Sequence, residues 1–247
     1  PCGAPPNLSQ KRVWIAQYAQ GRGERTHAQC DDDVKLFIRK DDDNVSLRDP
    51  SPAEVQMMLD YMERLLAGEY PMVGVSAREG NNHGGAGPAP LLVECTRSMR
   101  FYAFRTDDLL SIDSGRMPEM ADFDTTLQFL RSGRKNCVLF YWAQNQPRTQ
   151  HPGGCAVYRT NETHDAAARR LAELHPNFVS VYTKVTKSKR KKRVAFDERT
   201  EVRVQWQKAY ESSQRREAAS ERHAAADNQV ARGSTAAKER GDDGAHE

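Results

Sequence analysis

A chain of 247 residues, 38 % hydrophobic and 29 % charged, is long enough for one ordinary domain plus a tail, with an apolar share below that of a fully globular chain. The net charge of +3 is uneven: residues 186–247 carry 15 Lys and Arg against 11 Asp and Glu, while residues 1–185 carry 22 against 23. A near-neutral folded part excludes the uniformly basic surface that wraps duplex DNA, and five cysteines without a Cys-x-x-C pair signal neither a disulfide framework nor a zinc knuckle.

Residues 1–12 are Pro-rich and polar and read as a disordered lead-in; Pro1 in place of an initiator Met reads as a processed or excised terminus. Val13–Ala19 is a short apolar run, followed by a Gly- and charge-rich turn over Gly21–Asp33. Val34–Arg39 is the first strand, bounded by the triplets Asp31–Asp33 and Asp41–Asp43. These lack the D-x-D-x-D-G spacing of a calcium loop and read as solvated loop charge. Ser51-Pro52-Ala53-Glu54 is a capping box opening a helix whose apolar residues Val55, Met58, Leu59, Met62, Leu65 and Leu66 recur at three and four, up to Gly68.

Met72–Ser76 reads as a strand and Gly80–Pro90 as a long glycine-rich loop without the Lys-Ser/Thr of a phosphate loop. Leu91–Cys95 and Arg100–Arg105 read as a hairpin, and Asp122 as the cap of a helix carrying Phe123, Leu127 and Leu130. Asn136–Ala143 is the most apolar stretch and the expected central strand. Cys155–Arg159 (strand), His164–Leu174 (helix) and Phe178–Val185 (strand) complete an α+β fold: a single N-terminal mixed domain with a mostly antiparallel sheet over residues 13–185.

Catalytic patterns are sparse. Cys137 with His151 or His164 is the one Cys–His set, and Cys137 heads an apolar strand where small thiols are commonly buried. No zinc-protease, nucleophile-elbow or P-loop pattern occurs, so the domain reads as non-catalytic, with no metal and no cofactor expected. Reduced thiols and the lack of a secretory or membrane-spanning segment point to the cytoplasm, with the nucleus as a second compartment and no membrane partner.

The C-terminal part carries the functional expectation. Lys187, Lys189, Arg190, Lys191, Lys192 and Arg193 place six cations in seven residues, and Val194, Phe196, Val202, Val204 and Trp206 then share one parity of an extended segment spanning 186–206. A marginal helix over 207–227 and a disordered tail over 228–247 follow.

Lys192-Arg193-Val194-Ala195-Phe196 matches the basic–Val–x–Phe docking motif for protein phosphatase 1. Together with Glu198, Arg199, Val202 and Val204 it resembles the stress-inducible phosphatase-1 regulators, a family that includes the herpesvirus neurovirulence factor. The resemblance implies strand addition of Val194 and Phe196 to the phosphatase catalytic subunit. It also implies that Tyr210, Glu211, Arg215 and Arg216 present the phosphorylated α subunit of translation initiation factor 2, countering translational shut-off by recruitment alone. The alternative reading of Lys187–Arg193 is a nuclear signal or an RNA-binding block.

Overall fold

The computed structural model describes residues 7–40, 46–78, 91–145, 160–185 and 198–239, with the backbone alone over 225–239. The first helix, α1 (Leu8–Gly21), starts earlier than the apolar run suggests because the Asn7 side chain accepts a hydrogen bond from the Gln10 amide and caps it. Strand β1 (Thr26–Cys30) occupies the expected turn region. Its residues are too polar to announce a strand, and it forms because it pairs antiparallel along the whole of β6 (Phe101–Arg105).

Strands β2 (Lys35–Arg39), β3 (Leu47–Arg48), β4 (Met72–Ala77), β5 (Leu92–Glu94) and β7 (Cys137–Asn145) complete a seven-stranded sheet of order β1-β6-β4-β7-β2-β3, with β5 also on β7. All pairings are antiparallel except β4 with β7, so the fold is α+β with a mostly antiparallel sheet, as the alternation of elements predicts. The expected β5–β6 hairpin is absent. Glu94 pairs with Cys137 on one side of β4, Phe101 pairs with Cys30 on the other, and residues 95–100 cross the face of β4 between them. Gly74 permits the crossing: a Cβ there would lie 1.8 Å from the Ser98 hydroxyl oxygen.

Helix α2 (Pro52–Ala67) covers one face of the sheet, burying Met58, Met62 and Leu66 against Val73, Val75 and Leu139; its capping box is present, with the Ser51 hydroxyl accepting from the Glu54 amide. The other face receives α1, the short α3 (Thr106–Leu110) and α4 (Ala121–Arg131), through Ala16, Leu109 and Phe129 against Met72, Tyr102 and Phe104. Strand β7 breaks register between its two halves: Val75 faces Leu139, whereas Ser76 faces Ala143. The wholly buried Arg39 supports this irregularity by donating from Nε to the Phe140 carbonyl at 2.8 Å.

Beyond the sheet, α5 (Asn161–Leu174), β8 (Val179–Val185), β9 (Glu198–Val204) and α6 (Trp206–Glu239) form a second layer. β8 and β9 pair along their full length, with Val185 opposite Glu198. Ala167, Leu171, Phe178, Val179 and Ala209 share a core with Met117, Leu127 and Leu130, and the helix runs on past the expected end at 227. The apolar face of α4 is thus completed by residues on both sides of position 185.

Candidate active site

The parallel pair β4–β7 has a common carboxyl end, the place where open sheets with a crossover collect ligands. By register, the amino ends of β2 and β6 and the carboxyl end of β1 lie at the same edge. Arg12, from α1, reaches it: Nη2 donates to Asp31 Oδ1 at 3.0 Å, and the guanidinium lies 4.9 Å from the centre of the Tyr102 ring. The Asp31 amide donates to the Arg100 carbonyl at 3.0 Å. Gln144, wholly buried near the end of β7, donates from Nε2 to the Met99 carbonyl at 3.3 Å, so the Met99–Arg100 segment is tied to β1 on one side and β7 on the other.

Cations and carboxylates mix at this edge: Asp31, Asp32 and Asp33 follow β1, and Lys35 pairs with Asp49 at 3.0 Å. Lys35 and Arg78 lie 5.2 and 4.5 Å from the centre of the Phe37 ring, and Arg100, just before β6, is joined to Asp31 through its carbonyl. Burial pushes the Asp31 carboxyl above its ordinary range, although Arg12 opposes the shift. Beneath the edge, a recess of about 20 Å³ lined by Arg12, Gln29, Tyr102 and Asp122 has room for a single water. The arrangement suits an anionic group bound at the rim beside one carboxylate of raised proton affinity.

Cys137 is buried at the head of β7, as its place before an apolar run predicts, and does not form a Cys–His pair with His164. Its thiol is pushed up to about 12 by desolvation, Cys95 rises to about 11 for the same reason, and His151 lies outside the described residues. His164 approaches Glu119 instead, at 4.0 Å. Among the described residues no group of three His, Cys, Asp or Glu side chains converges as metal ligands, and no helix is long and apolar enough to cross a membrane.

The residues expected to dock a phosphatase do not converge on the edge. Lys187, Lys189, Arg190, Lys191, Lys192, Arg193, Val194 and Phe196 lie outside the described residues. Val202, Val204 and Trp206 pack against the protein's own second core, Trp206 with its ring 5.7 Å from that of Phe123. Tyr210 joins the same core, and Glu211 pairs with Arg215 within the helix at 3.1 Å. Arg216 donates to the Arg131 carbonyl at 2.8 Å, satisfying the end of α4.

Sequence reasoning missed Arg12, Asp31, Arg100 and Gln144 because they gather only through strand order. The single available signal was the carboxylate triplet beside the first strand, read as loop charge.

Residues 6–154, more than half of the chain, match the family model described as TET-Associated Glycosyltransferase. No curated protein and no solved structure matches the chain. The match overturns the phosphatase-regulator resemblance, together with the expected phosphatase and initiation-factor partners and the alternative RNA-binding role. It equally overturns the reading of the domain as non-catalytic, because a short docking pattern such as Lys-Arg-Val-Ala-Phe recurs by chance whereas the match runs through the whole seven-stranded sheet.

Proposed function

The chain belongs to the TET-associated glycosyltransferase family, and from that premise we propose that it transfers a sugar from a nucleotide-activated donor to an acceptor hydroxyl at the carboxyl edge of β4 and β7. One coincidence carries the reading: the matched span opens on the helix that supplies Arg12 and runs through the strand that supplies Gln144, the two ends of the polar rim.

In the transfer, the acceptor oxygen forms a bond to the anomeric carbon. The bond from that carbon to the donor phosphate oxygen breaks, its electron pair leaving on the nucleoside diphosphate, and the acceptor proton goes to a base. Asp31 is assigned the base role, since burial raises its proton affinity and Arg12 fixes its orientation. The cations of the rim offset the charge that builds on the leaving diphosphate.

The test incubates the full chain with uridine-, guanosine- and cytidine-activated sugars and follows release of free nucleotide, with water as the default acceptor. At least one donor is expected to turn over. Asp31→Asn should slow turnover on the order of 10²-fold or more while donor binding persists. Absence of nucleotide release from every donor would sink the proposal.

A further inference from the structure

Arg100 has a backbone that its side chain does not favour. Its φ is +65°, a left-handed conformation that glycine or asparagine adopts far more readily than arginine. The segment is held there from both flanks, by the Asp31 amide on the Arg100 carbonyl and by Gln144 on the Met99 carbonyl. Such over-determined outliers concentrate at binding and catalytic sites.

The side chain adds an independent observation. Arg12 is committed to Asp31, and Arg78 lies over the Phe37 ring. Among the described residues the Arg100 guanidinium makes no hydrogen bond or ion pair, and its Nη1 is shut off from solvent without a partner. Leaving a buried guanidinium nitrogen unpaired is costly, and the planar fork matches phosphate oxygens in a bidentate geometry. The β4–β6 ladder ends at the Gly74–Tyr102 pair, so Arg100 stands just before β6, two residues beyond the last rung.

We infer that Arg100 grips the diphosphate of the sugar donor, its fork donating to the phosphate oxygens that take up the electron pair of the breaking anomeric bond. The identity of the anion rests on the glycosyl-transfer reading; the anion subsite itself rests on the placement of Arg100. A diphosphate bound there lies beside Asp31, so leaving-group stabilisation and proton uptake come from neighbouring segments. Glycine or asparagine would suit the backbone better, and neither could perform this task.

The test is calorimetric binding of inorganic pyrophosphate to the full chain and to Arg100→Gly, Arg100→Asn and Arg100→Lys. Gly and Asn both tolerate the left-handed backbone, so both variants should melt no lower than wild type. Each is nevertheless expected to bind pyrophosphate at least tenfold more weakly, with a shallower salt dependence, and Lys should restore part of the loss.

A folded Arg100→Gly or Arg100→Asn protein that binds pyrophosphate within twofold of wild type overturns the inference, as does a wild-type protein that does not bind pyrophosphate at all. Donor turnover separates the two proposals. Turnover by wild type with undiminished pyrophosphate binding by the variants removes Arg100 and leaves glycosyl transfer standing. Arg100-dependent binding without turnover of any donor keeps the anion subsite and removes the transferase reading.

Discussion

The carboxylate oxygen Oδ1 of Asp124 lies 2.7 Å from Nε2 of His175, and neither side chain is exposed to solvent. Arg131 Nη1 faces the other ring nitrogen at 2.9 Å; a guanidinium can only donate, so Nδ1 accepts and Nε2–H donates to Asp124. Arg116 closes the network with two hydrogen bonds to the same carboxylate, at 2.9 and 2.7 Å, and Gln128 adds another at 2.8 Å. Although composed like a catalytic His–Asp pair, this one has no access for a substrate. Its work is to join α4, inside the family-matched span, to the end of α5, outside it.

Asp124→Ala is therefore expected to destabilise the fold by about 3–5 kcal/mol, the usual cost of removing one member of a buried charged network and leaving its partners unpaired. Urea unfolding measures it, and a change below about 1 kcal/mol would show that the network relaxes onto water.

The same carboxylate sets a pH signature. Burial alone would raise the Asp124 pKa, but the hydrogen bonds from His175 and Arg116 hold it below the ordinary carboxylate range. A depressed folded pKa contributes stability that is complete above the unfolded value of about 3.9 and is lost as pH falls through the folded value. Wild type should thus lose stability below about pH 4 more steeply than Asp124→Asn. Parallel acid-unfolding curves for the two proteins would contradict this assignment.

Ending the chain at residue 159 would keep the family-matched span and remove its second layer. Phe123, Leu127 and Leu130 would lose the apolar surface supplied by α5, β8, β9 and α6. The shortened protein should bind a hydrophobic dye and fail to melt cooperatively. A cooperative melt at the full-length temperature would mean that the first layer folds alone.

Gly74→Ala is expected to cost about 1–3 kcal/mol, the range for overpacking a core, because the new Cβ collides with the Ser98 side chain. Adding Ser98→Gly should recover most of the loss. If the pair is no more stable than Gly74→Ala by thermal melting, the crossing over β4 is not held by this contact.

Ser51→Ala should cost about 1 kcal/mol by removing the hydroxyl that caps α2. Thermal unfolding reads it directly, and Ser51→Thr serves as the conservative control.

What could be read from the chain follows the range of the interactions involved. Helix α2 was legible because its cap, its apolar spacing and its terminating glycine all lie within about five turns of sequence. β7 was legible because an uninterrupted apolar run has few other homes. β1 was not, since in Thr-His-Ala-Gln-Cys the buried position is the polar Gln29 and the segment is a strand only by virtue of β6. The site was least legible of all: Arg12, Asp31, Arg100 and Gln144 are brought together by strand order, and neither the φ of Arg100 nor its unpaired nitrogen has a sequence signal. The Lys192–Phe196 motif misled for the opposite reason. It is strong locally, while the fate of Val202, Val204 and Trp206 is decided by α4 and α5.

β7 has a property that an ordinary central strand lacks. Because its alignment with β4 jumps between Leu139 and Ala143, and because β5 borders its first half and β2 its second, it behaves as two short strands spliced end to end. Strain entering at Cys137 has no rigid ladder along which to reach Gln144. Trp142, in the second half, still packs with α2, so only the residues beyond it, from Ala143 to Asn145, can vary at the rim while Cys137 to Leu139 stay in register with β4.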